Sequence, residues 1–518
     1  MNISEKKNVN WRSGRMNTWE NNLLVTTYTD AKDVARIVDF DCVSAMIEKR
    51  FAEYGENLAI VDNGVNYTYQ DLDQAIGSLR KKLLEEGVQA GDRVGVFYPN
   101  SVDFVIASLA VITSGAVAVL LPFQLDEMTL FGCSMKYKLK GIVSSSAYNA
   151  KLGFAYEKNP VLLKVESDCV EEGYAPYVYT GRDEGCVVIF TAGTTGTSKA
   201  ALLSNKAVMA GVKNSCLGIH GIFEQRYFLM LPLTHVFGFI RNLLCSLYTD
   251  SALYICRDNR NAFREIPTFN PTILVLVPAL ANMALELTKM LGVGILGNSL
   301  KNIICGAATV FPNLVVGYEK LGVKLSAGYG LTESSNLVSG NPLTLEKPTS
   351  VGLFYPEQEY RIKDGELLLK GDNILTEYLE NPEDTANAFE DGYFKTGDLV
   401  KFDEDGFLYI VGRIKDTIVL STGEKVAPAE IEAKFGEVDF VKDCLIYEKN
   451  DLLILEVLPQ TPVIKELENE EKKAECIAQL DAVNATLLPF QRVSKIILRT
   501  EDFERTPSMK IKRPSQTV

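Results

Sequence analysis

The sequence predicts an α/β fold, with a large N-terminal domain of layered α/β subdomains, a small β-rich subdomain, and a small α+β domain at the C-terminus. Over roughly the first 350 residues, β-branched runs alternate with helix-length segments, which implies parallel strand pairing. Short strands and Asp-Gly turns then take over. At 518 residues the chain is also too long for one ordinary core. We therefore expect an N-terminal domain over residues 1–411 and a C-terminal domain over residues 412–518.

The first elements follow from local signals. Residues 57–61 and 65–69 flank Asp-Asn-Gly, which predicts a β-hairpin. Thr68 and Asp71 have the spacing of a capping box, and this box should open a helix that ends near Gly87. Further strands are predicted at residues 94–98, 116–121, 187–190, 228–231, 273–277, 303–304 and 324–327. Because ligands bind beyond the carboxyl ends of such strands, the junctions that follow should converge on one crevice.

Composition excludes several classes of protein. The chain is 47% hydrophobic and 23% charged, as expected of a soluble globular protein, and its net charge of −14 argues against a nucleic-acid partner. Ten cysteines without a C-x-x-C pair and two distant histidines make structural zinc and a disulfide framework improbable, which favours a reducing cytosol. Residues 1–22 carry no apolar segment typical of a signal peptide, so we expect a cytoplasmic protein.

One uncharged stretch, Phe104–Leu121, is almost long enough to span a membrane. Ser114 and Gly115 divide it into a helix-length piece and a β-branched piece. This division predicts a buried helix followed by a buried strand, and no transmembrane segment.

The chain is organised around residues 187–199. An apolar, β-branched run breaks there into alternating glycine and hydroxyl residues and ends on Lys199. Glycines allow the backbone to turn with positive φ, so that successive N–H groups point at an anion. Hydroxyls add neutral donors and Lys199 adds a mobile positive charge, so the stretch predicts a loop that binds a nucleotide's phosphates. The loop residues are Thr191, Gly193, Thr194, Thr195, Gly196, Thr197 and Ser198.

A Walker P-loop and a flexible linker are the two alternatives to this interpretation. A Walker P-loop requires glycine directly before the lysine and Ser or Thr directly after it, whereas Ser198 and Ala200 occupy these positions. A flexible Gly/Thr linker is the second alternative, and the apolar strand that precedes the loop argues against it.

A second motif lies at residues 328–333. Its glycines permit close backbone approach, and Tyr329 offers a ring to a purine. Glu333 offers a hard oxygen to Mg²⁺, which prefers carboxylate and phosphate oxygens. The alternative is an ordinary strand-to-helix turn capped by Thr332.

A third motif lies at residues 393–398. Its last residue, Asp398, lies at a turn, where a carboxylate can accept hydrogen bonds from both ribose hydroxyls. Arg413 follows, and its fixed charge suits a phosphate. The alternative is a common Thr-Gly-Asp turn with an exposed aspartate.

In this order, the three motifs resemble those of the adenylate-forming superfamily, which includes acyl-CoA synthetases, aryl-acid ligases, peptide-synthetase adenylation domains and luciferases. The resemblance extends from about Phe51 to Arg513. Ser198 replaces the usual proline and Ala200 the usual glycine, and neither change removes a phosphate ligand. The resemblance implies catalytic roles for Lys199, Glu333, Arg413 and Lys510, with Glu333 as the magnesium ligand. It further implies nucleotide contacts from Thr191, Gly193, Thr194, Thr195, Gly196, Thr197, Gly306, Ala307, Gly328, Tyr329, Gly330, Thr332, Asp398 and Arg413.

The resemblance also assigns two lysines to domain movement. Lys510, four residues after Thr506, would enter the site for adenylation, and Lys415 would mark the hinge of the C-terminal domain. A solvated basic tail and an exposed linker lysine are the alternatives. The Lys-Ile-Lys-Arg ending resembles that of long-chain fatty acyl-CoA synthetases.

Residues 232–239 resemble the family segment that shapes the acyl pocket. They lack the aspartate with which amino-acid-activating members pair a substrate ammonium, so the pocket should prefer an apolar acyl group. His235 is expected to be an aromatic gate or packing residue. The predicted pocket residues are His235, Val236, Phe237, Gly238, Phe239 and Leu331.

The resemblance thus implies an acyl-CoA synthetase that uses ATP, Mg²⁺ and CoA. It would join an apolar acid, with a fatty acid as the first candidate, to the AMP part of ATP and release pyrophosphate. The acyl group would then pass from acyl-AMP to the CoA thiol, and AMP would be released. A carboxylate is already a nucleophile at neutral pH, so the scarcity of histidine fits. The alternatives are a ligase that loads acyl carrier protein, an aryl-acid ligase, and a catalytically silent binder of nucleotide or acyl chains. A kinase would yield ADP instead of AMP.

Overall fold

The computed structural model describes five stretches of the chain. These are residues 18–169, 173–191, 198–421, 424–505 and 511–513. Within residues 18–191, the helices are α1 Leu23–Thr26, α2 Ala31–Val34, α3 Val43–Tyr54, α4 Tyr69–Glu85, α5 Val102–Thr113, α6 Glu127–Lys136 and α7 Asn149–Lys158. The strands of this part are β1 Leu58–Asp62, β2 Val65–Thr68, β3 Arg93–Val96, β4 Val117–Leu120, β5 Gly141–Ser144, β6 Leu163–Glu166 and β7 Gly185–Phe190.

The middle of the chain continues the alternation of strands and helices. Its strands are β8 Ala200–Ser204, β9 Arg226–Leu229, β10 Ala252–Ile255, β11 Ile273–Leu276, β12 Asn302–Cys305, β13 Lys324–Leu331 and β14 Asn336–Asn341. Its α-helices are α8 Asn205–Ser215, α9 Cys245–Tyr248, α10 Ala262–Phe269, α11 Pro278–Leu291 and α12 Pro312–Glu319. A π-helix, Phe237–Leu244, runs directly into α9.

The last part of the chain is richer in short strands. The strands are β15 Leu353–Phe354, β16 Glu359–Lys363, β17 Glu366–Lys370, β18 Glu377–Tyr378, β19 Phe389–Glu390, β20 Tyr393–Phe402, β21 Leu408–Arg413, β22 Ile418–Val419, β23 Lys425–Val426, β24 Val441–Lys449, β25 Leu452–Pro459 and β26 Lys495–Leu498. The helices are α13 Pro382–Ala388, α14 Pro428–Phe435, α15 Thr461–Ile464 and α16 Glu470–Thr486.

Two large sheets with parallel centres form the body of the molecule. One has nine strands in the order β15-β14-β13-β12-β11-β9-β10-β1-β2, and the other has seven in the order β18-β8-β7-β4-β3-β5-β6. Helix α8 contacts β7 and β8 of the second sheet and β14 of the first, so helices lie between the two sheets. The hydrophobic core is continuous through this layer. The α/β layering predicted from the sequence is therefore confirmed.

Smaller sheets follow. Strands β16, β17, β20, β19 and β21 form a five-stranded sheet, which is the predicted β-rich subdomain. Beyond β21, a one-turn helix, Ile414–Asp416, leads to a separate core around Phe435, Leu455 and Leu480. Because β21 pairs with β20 up to Arg413, the predicted boundary at residues 411/412 falls inside a strand. The boundary itself stays a prediction.

Several local predictions match the structure. Strands β1 and β2 form the expected antiparallel hairpin, and Thr68 and Asp71 form the expected capping box of α4. The uncharged stretch Phe104–Leu121 lies in the buried helix α5 and the buried strand β4. Among the residues that the structure describes, no helix is both long and apolar enough to cross a bilayer.

One strand is longer than its sequence pattern predicts. The strand expected to end at Ala327 continues to Leu331, because β14 pairs with these residues from the far side. Such a partner is remote in sequence, so local pattern does not reveal it.

Candidate active site

The edges of the predicted phosphate loop form the end of a β-hairpin. Strand β7 leads into Thr191 and strand β8 begins after Lys199, and the two strands are antiparallel. The Thr191 N–H donates to the Lys199 carbonyl at 2.8 Å, and the Ser198 hydroxyl donates to the Thr191 carbonyl at 2.6 Å. The base of the loop is thus closed. The predicted ligands Gly193, Thr194, Thr195, Gly196 and Thr197 lie outside the described residues.

Lys199 belongs to a group of four side chains that we call the lysine cluster: Lys199, Glu333, Tyr378 and Asp384. The ammonium of Lys199 lies 3.1 Å from an Asp384 carboxylate oxygen and 4.8 Å from the centre of the Tyr378 ring. The Tyr378 hydroxyl donates to Glu333 Oε1 at 2.8 Å. Because β18 pairs with β8, Tyr378 is fixed beside the strand that leaves the loop.

Electrostatics in the lysine cluster follow from these contacts. The hydrogen bond from Lys199 is the main reason that the pKa of Asp384 is lowered. Burial raises the pKa of Tyr378, and the negative charge of Glu333 raises it further. At neutral pH the cluster therefore holds an ionised Asp384 and a neutral phenol.

A second group, the aspartate cluster, consists of Tyr329, Asp398 and Arg413. The Tyr329 hydroxyl donates to Asp398 Oδ2 at 2.6 Å, and Arg413 Nε donates to Asp398 Oδ1 at 2.5 Å. Arg413 Nη2 also donates to the Thr396 carbonyl at 3.3 Å. Strands β20 and β21 place Asp398 and Arg413 directly opposite one another. The structure thus brings together three residues that the sequence separates by up to 84 positions, as 413 minus 329.

The aspartate cluster is electrostatically closed. Burial alone would lower the pKa of Arg413, but the charge of Asp398 outweighs burial and raises it. Burial raises the pKa of Tyr329 well above its ordinary value, with Asp398 adding to the effect. Tyr329 lies in β13, and Glu333 of the lysine cluster follows it by four residues in the one-turn helix after that strand, so the two clusters adjoin.

The glycines of the second motif are required by close packing. A Cβ on Gly330 would lie 2.0 Å from the Asn336 carbonyl oxygen, and a Cβ on Gly328 would lie 2.7 Å from a methyl carbon of Leu337. A Cβ on Gly306 would lie 3.2 Å from the Gly328 carbonyl oxygen. Ala307, the second residue after β12, has a φ of 71°, which is strained for a residue other than glycine. The ends of β12 and β13 therefore meet as predicted.

The remaining residues of this motif lie where β13 ends. Leu331 is half-buried, and the one-turn helix Thr332–Ser334 begins after it. Thr332 is buried and Glu333 is half-buried. The turn therefore carries Glu333 from the strand end toward Tyr378.

The predicted acyl-pocket residues occupy the start of the π-helix. Val236, Phe237 and Phe239 are buried, whereas His235 is half-buried. The Phe237 N–H donates to His235 Nδ1 at 3.3 Å, so the second ring nitrogen carries the proton of a neutral imidazole. A Cβ on Gly238 would lie 2.1 Å from the Pro232 carbonyl oxygen. Because π-helical turns are rare and often occur at functional sites, this geometry supports a binding role for the segment.

Phe237 connects this helix to the nucleotide motifs. Its ring tip, Cζ, would lie 3.4 Å from a Cβ on Gly306. The predicted acyl segment and the end of β12 are therefore in contact.

The two lysines predicted to take part in domain movement, Lys415 and Lys510, belong to neither cluster. Lys415 is exposed on the one-turn helix Ile414–Asp416, and its pKa is lowered by partial desolvation and by the neighbouring charge of Arg413. Lys510 lies outside the described residues. The hinge role of Lys415 and the catalytic role of Lys510 stay predictions.

Sequence reasoning missed Tyr378 and Asp384. One available signal was Asn381-Pro382-Glu383-Asp384, because Asn before Pro marks a helix start and places an acid in its first turn. Nothing local to Tyr378 indicated that β18 would pair with β8. Only the folded sheet brings this ring to Lys199.

The family model for AMP-binding enzymes matches residues 47–379, and the model for the C-terminal domain of AMP-binding enzymes matches residues 415–517. The oxalate–CoA ligase of Arabidopsis thaliana is 27% identical, over 92% of this chain and 98% of its own length. The long-chain-fatty-acid–CoA ligase FadD13 of Mycobacterium tuberculosis is 26% identical, over 86% of this chain and 92% of its own length. The predicted enzyme class, an acid–thiol ligase, is thereby confirmed.

Solved structures show the same fold. An anthranilate CoA ligase, AuaEII, in complex with anthranoyl-AMP superposes with a TM-score of 0.81 at 18% identity, covering 92% of this chain and 97% of that one. The o-succinylbenzoate CoA synthetase of Bacillus subtilis, in complex with ATP and magnesium ion, gives 0.74 at 22% identity, covering 90% and 98%. With both family models matched in order along it, the chain belongs to the AMP-binding enzyme family.

Proposed function

We propose that this adenylate-forming CoA ligase activates a carboxylic acid whose body is apolar, with a fatty acid as the first candidate. The observation that carries the proposal is the meeting of the two clusters. A lysine at the base of a phosphate loop adjoins a buried carboxylate that is held between a tyrosine and an arginine. These are the groups that an ATP molecule requires along its length.

The proposed roles follow the chemistry of each group. Lys199 and Arg413 neutralise the phosphates, so that the anionic acid can approach the α-phosphorus. Asp398 accepts hydrogen bonds from the ribose hydroxyls, and Tyr329 lies beside the adenine. The acid oxygen then attacks the α-phosphorus, the bond to the β-phosphate oxygen breaks, and pyrophosphate leaves. The CoA sulfur next attacks the acyl carbonyl and AMP departs.

Magnesium would be held by Glu333 together with the nucleotide's own phosphates. Tyr378 donates to Oε1 only, and within the described residues no hydrogen bond engages Oε2, so one carboxylate oxygen suits a hard cation. Elsewhere among those residues, no cluster of three or more His, Cys, Asp or Glu side chains could hold a metal. The donor set therefore fits an ion that arrives with ATP. Such an ion supplies charge neutralisation on the phosphates.

Support for an apolar acid comes from the start of the π-helix. Val236 is 5%, Phe237 5% and Phe239 0% exposed. Of the three, Phe237 lies beside Gly306, where its ring offers a hydrophobic wall for the acyl group. The relatives named above act on acids as different as oxalate and long-chain fatty acids, so similarity alone selects no acid.

Further proposals concern the rotation of the C-terminal domain, the cellular location and the thiol acceptor. We propose that Lys510 serves the adenylation step and is withdrawn when the C-terminal domain rotates about Lys415. Replacing Lys510 by alanine should then abolish acyl-AMP formation and spare thioester formation from supplied acyl-AMP. Equal loss of both half-reactions would refute this role. We also propose a cytoplasmic location and CoA, instead of an acyl carrier protein, as acceptor.

The decisive experiment measures AMP and pyrophosphate release from ATP and magnesium with fatty, aryl and amino acids, with and without CoA. Acid-dependent AMP that accelerates with CoA supports the proposal and ranks the acids. Acceleration by acyl carrier protein instead of CoA would change the acceptor. Absence of AMP with every acid, whether or not CoA or acyl carrier protein is present, would favour a catalytically silent binder.

A further inference from the structure

A small cavity of about 20 Å³, room for about one water-sized group, lies behind the proposed acyl pocket. Its floor includes Ile304 of β12 and Ala327 of β13, so it lies just below the strand ends that carry Gly306 and Gly328. The π-helix contributes one side chain to its wall, Arg241. This guanidinium is the feature that the proposed function leaves unexplained.

Arg241 is a buried cation without a carboxylate. The residue is 1% exposed, and within the described part of the chain it forms no ion pair with Asp or Glu. Its Nη1 donates to the sulfur of Cys245 at 3.4 Å, and the Tyr227 hydroxyl is a second hydrogen-bond partner of the guanidinium. Burial of a charge without a countercharge is strongly unfavourable. A guanidinium placed in this way needs an anion.

Two other buried arginines of the described chain show how this protein pairs a buried guanidinium. Arg80, 0% exposed, makes three hydrogen bonds, two to the Ala175 carbonyl and one to the Thr113 hydroxyl. Arg50, 5% exposed, pairs with Glu53 at 2.8 Å and donates to the Arg36 carbonyl at 3.0 Å, although its Nε has no partner among the described residues. Arg241 has neither a carboxylate nor a carbonyl partner among the described residues, and it lines the cavity.

The surroundings of Arg241 keep it charged. Burial alone would lower its pKa, but Cys245 and Tyr227 outweigh burial and raise it. Across the cavity, Tyr355 is buried, and no hydrogen bond to its hydroxyl occurs among the described residues. The cavity thus presents a guanidinium and a phenol, which are both donors suited to a carboxylate.

The cavity lies next to the proposed acyl pocket. Arg241 follows Phe237 by four residues, about one turn of the π-helix. Leu337 lines the cavity and also lies beside Gly306 and Gly328, so its side chain stands between the two spaces. An acyl group that enters beside Phe237 and displaces Leu337 would reach Arg241 with its far end.

The N-terminal segment, residues 18–40, packs against one side of the cavity. Leu217, Gly218 and Ile219 line that side. The Gly218 N–H donates to the Thr29 hydroxyl at 2.9 Å, and the buried side chain of Leu24 lies near Gly218. With about 20 Å³ of space, the cavity has no room for a long hydrocarbon tail behind Arg241.

We propose that the acid activated here carries a second carboxylate, which Arg241 binds at the end of the acyl pocket. The substrate class is then a dicarboxylic acid with a short apolar middle, activated at one end. This inference rests on the proposed function and replaces the simple fatty acid with a diacid. The apolar middle lies against Phe237 and Leu337, and the distal carboxylate supplies the countercharge that the protein lacks.

The competing explanation is an internal ion pair. The charge of Arg241 and a hydrogen bond from Cys216 lower the pKa of the Cys245 thiol to about 7, although burial opposes them. A Cys245 thiolate would then neutralise Arg241 without any ligand. This explanation predicts that Arg241 affects stability alone, whereas a diacid site predicts an effect on acid selection.

The first test uses the wild-type enzyme, so it does not depend on a variant that folds. AMP release is measured with a series of aliphatic diacids, their monomethyl esters and monoacids of matched length. We expect kcat/KM for the preferred diacid to exceed that for its half-ester by about 100-fold or more, because an unfilled polar site rejects the neutral analogue. Equal rates for the diacid and half-ester would overturn the inference and leave the proposed function standing. No AMP with any acid would overturn both.

The second test replaces Arg241 by Met or Lys. Arg241→Met should raise the KM for the diacid and leave the KM for ATP unchanged, and Arg241→Lys should restore part of the loss. Arg80→Met is the matched control, since it removes a buried guanidinium that is already satisfied and should lower the melting temperature without changing acid selection. If Arg241→Met lowers the melting temperature but keeps the wild-type ratio of diacid to half-ester, the internal ion pair is correct.

Discussion

The aspartate cluster and the lysine cluster adjoin, but they are built in opposite ways. Asp398 is 4% exposed, and both of its carboxylate oxygens accept hydrogen bonds. Lys199 and Asp384 have side chains that are 32% and 37% exposed, and they meet as a single ion pair. Exposed pairs of this kind contribute only about 0.2–1 kcal/mol. One cluster is closed and the other exchanges partners easily.

This difference has a simple consequence on the proposed roles. The ribose side is in place before ATP arrives, because Tyr329 and Arg413 already hold Asp398. The phosphate side is assembled on binding, when a phosphate takes Lys199 from Asp384. Four substitutions test the contrast.

The largest effect is expected for Asp398→Asn. The change leaves Arg413 without its countercharge and weakens the ribose contact, so kcat/KM for ATP should fall on the order of 1000-fold. Stability should also fall, by about 2–3 kcal/mol, because a mostly buried ionic hydrogen bond is lost. Pyrophosphate release and urea unfolding measure the two effects. Asp391→Asn, on an exposed turn of the same sheet, is the control. Wild-type activity in Asp398→Asn would show that the cluster is only structural.

Lys199→Met should lower kcat/KM for ATP on the order of 100-fold, as expected when one electrostatic stabiliser of the phosphates is removed. Unlike the previous change, it should leave the urea midpoint almost unaltered, because the pair that it breaks is half exposed. Lys206→Met, which breaks a similar pair with Asp183, is the matched control. A large loss of stability in Lys199→Met would contradict the open character of this cluster.

Lys415→Pro tests whether the proposed hinge of the C-terminal domain lies at residue 415. The Ile414–Asp416 turn closes through the Thr417 N–H and the Ile414 carbonyl, so proline at 415 removes no hydrogen bond of that turn. If the hinge is here, thioester formation should slow on the order of tenfold, or about 1.4 kcal/mol of barrier, while acyl-AMP formation is retained. Rapid-quench assays of each half-reaction decide. Unchanged thioester formation would place the hinge elsewhere.

The smallest effect, and an opposite one, is expected for Asp384→Asn. Releasing Lys199 from its resting partner should lower the KM for ATP about two- to threefold, within the range of an exposed pair. Because the pKa of Asp384 is lowered, its carboxylate is ionised throughout the neutral range and is lost only as the pH falls below that lowered pKa. The gain should therefore be constant across neutral pH. A raised KM would mean that Asp384 positions Lys199 for catalysis.

The sequence predicted the aspartate cluster better than the lysine cluster. Tyr329, Asp398 and Arg413 lie in compact motifs whose chemistry is visible residue by residue. Tyr378 and Asp384 come to Lys199 only through the pairing of β18 with β8, a contact between segments about 175 residues apart, as 377 minus 202. Local pattern carries no information on such pairings.

The same limit applies to the fold. Hydrophobic runs and turn residues located α5, β4 and the β1–β2 hairpin, because their signals are local. They did not reveal that β13 would continue through the glycine motif, nor that residues 237–244 would form a π-helix. The sequence gives no local signal for Arg241 for the same reason, because it is one charged residue within an apolar helix.

The π-helix ties acid selection to backbone register. Its hydrogen bonds span one residue more than those of an α-helix, so deletion of a single residue between Phe237 and Leu244 would restore ordinary turns. Each residue of an α-helix turns the chain by about 100°, so such a deletion would swing one end of the segment relative to the other. Phe237 and Arg241 could no longer face their present neighbours together. A gain or loss of one residue here would thus change which acids are accepted in one step, with the ATP-binding clusters left intact.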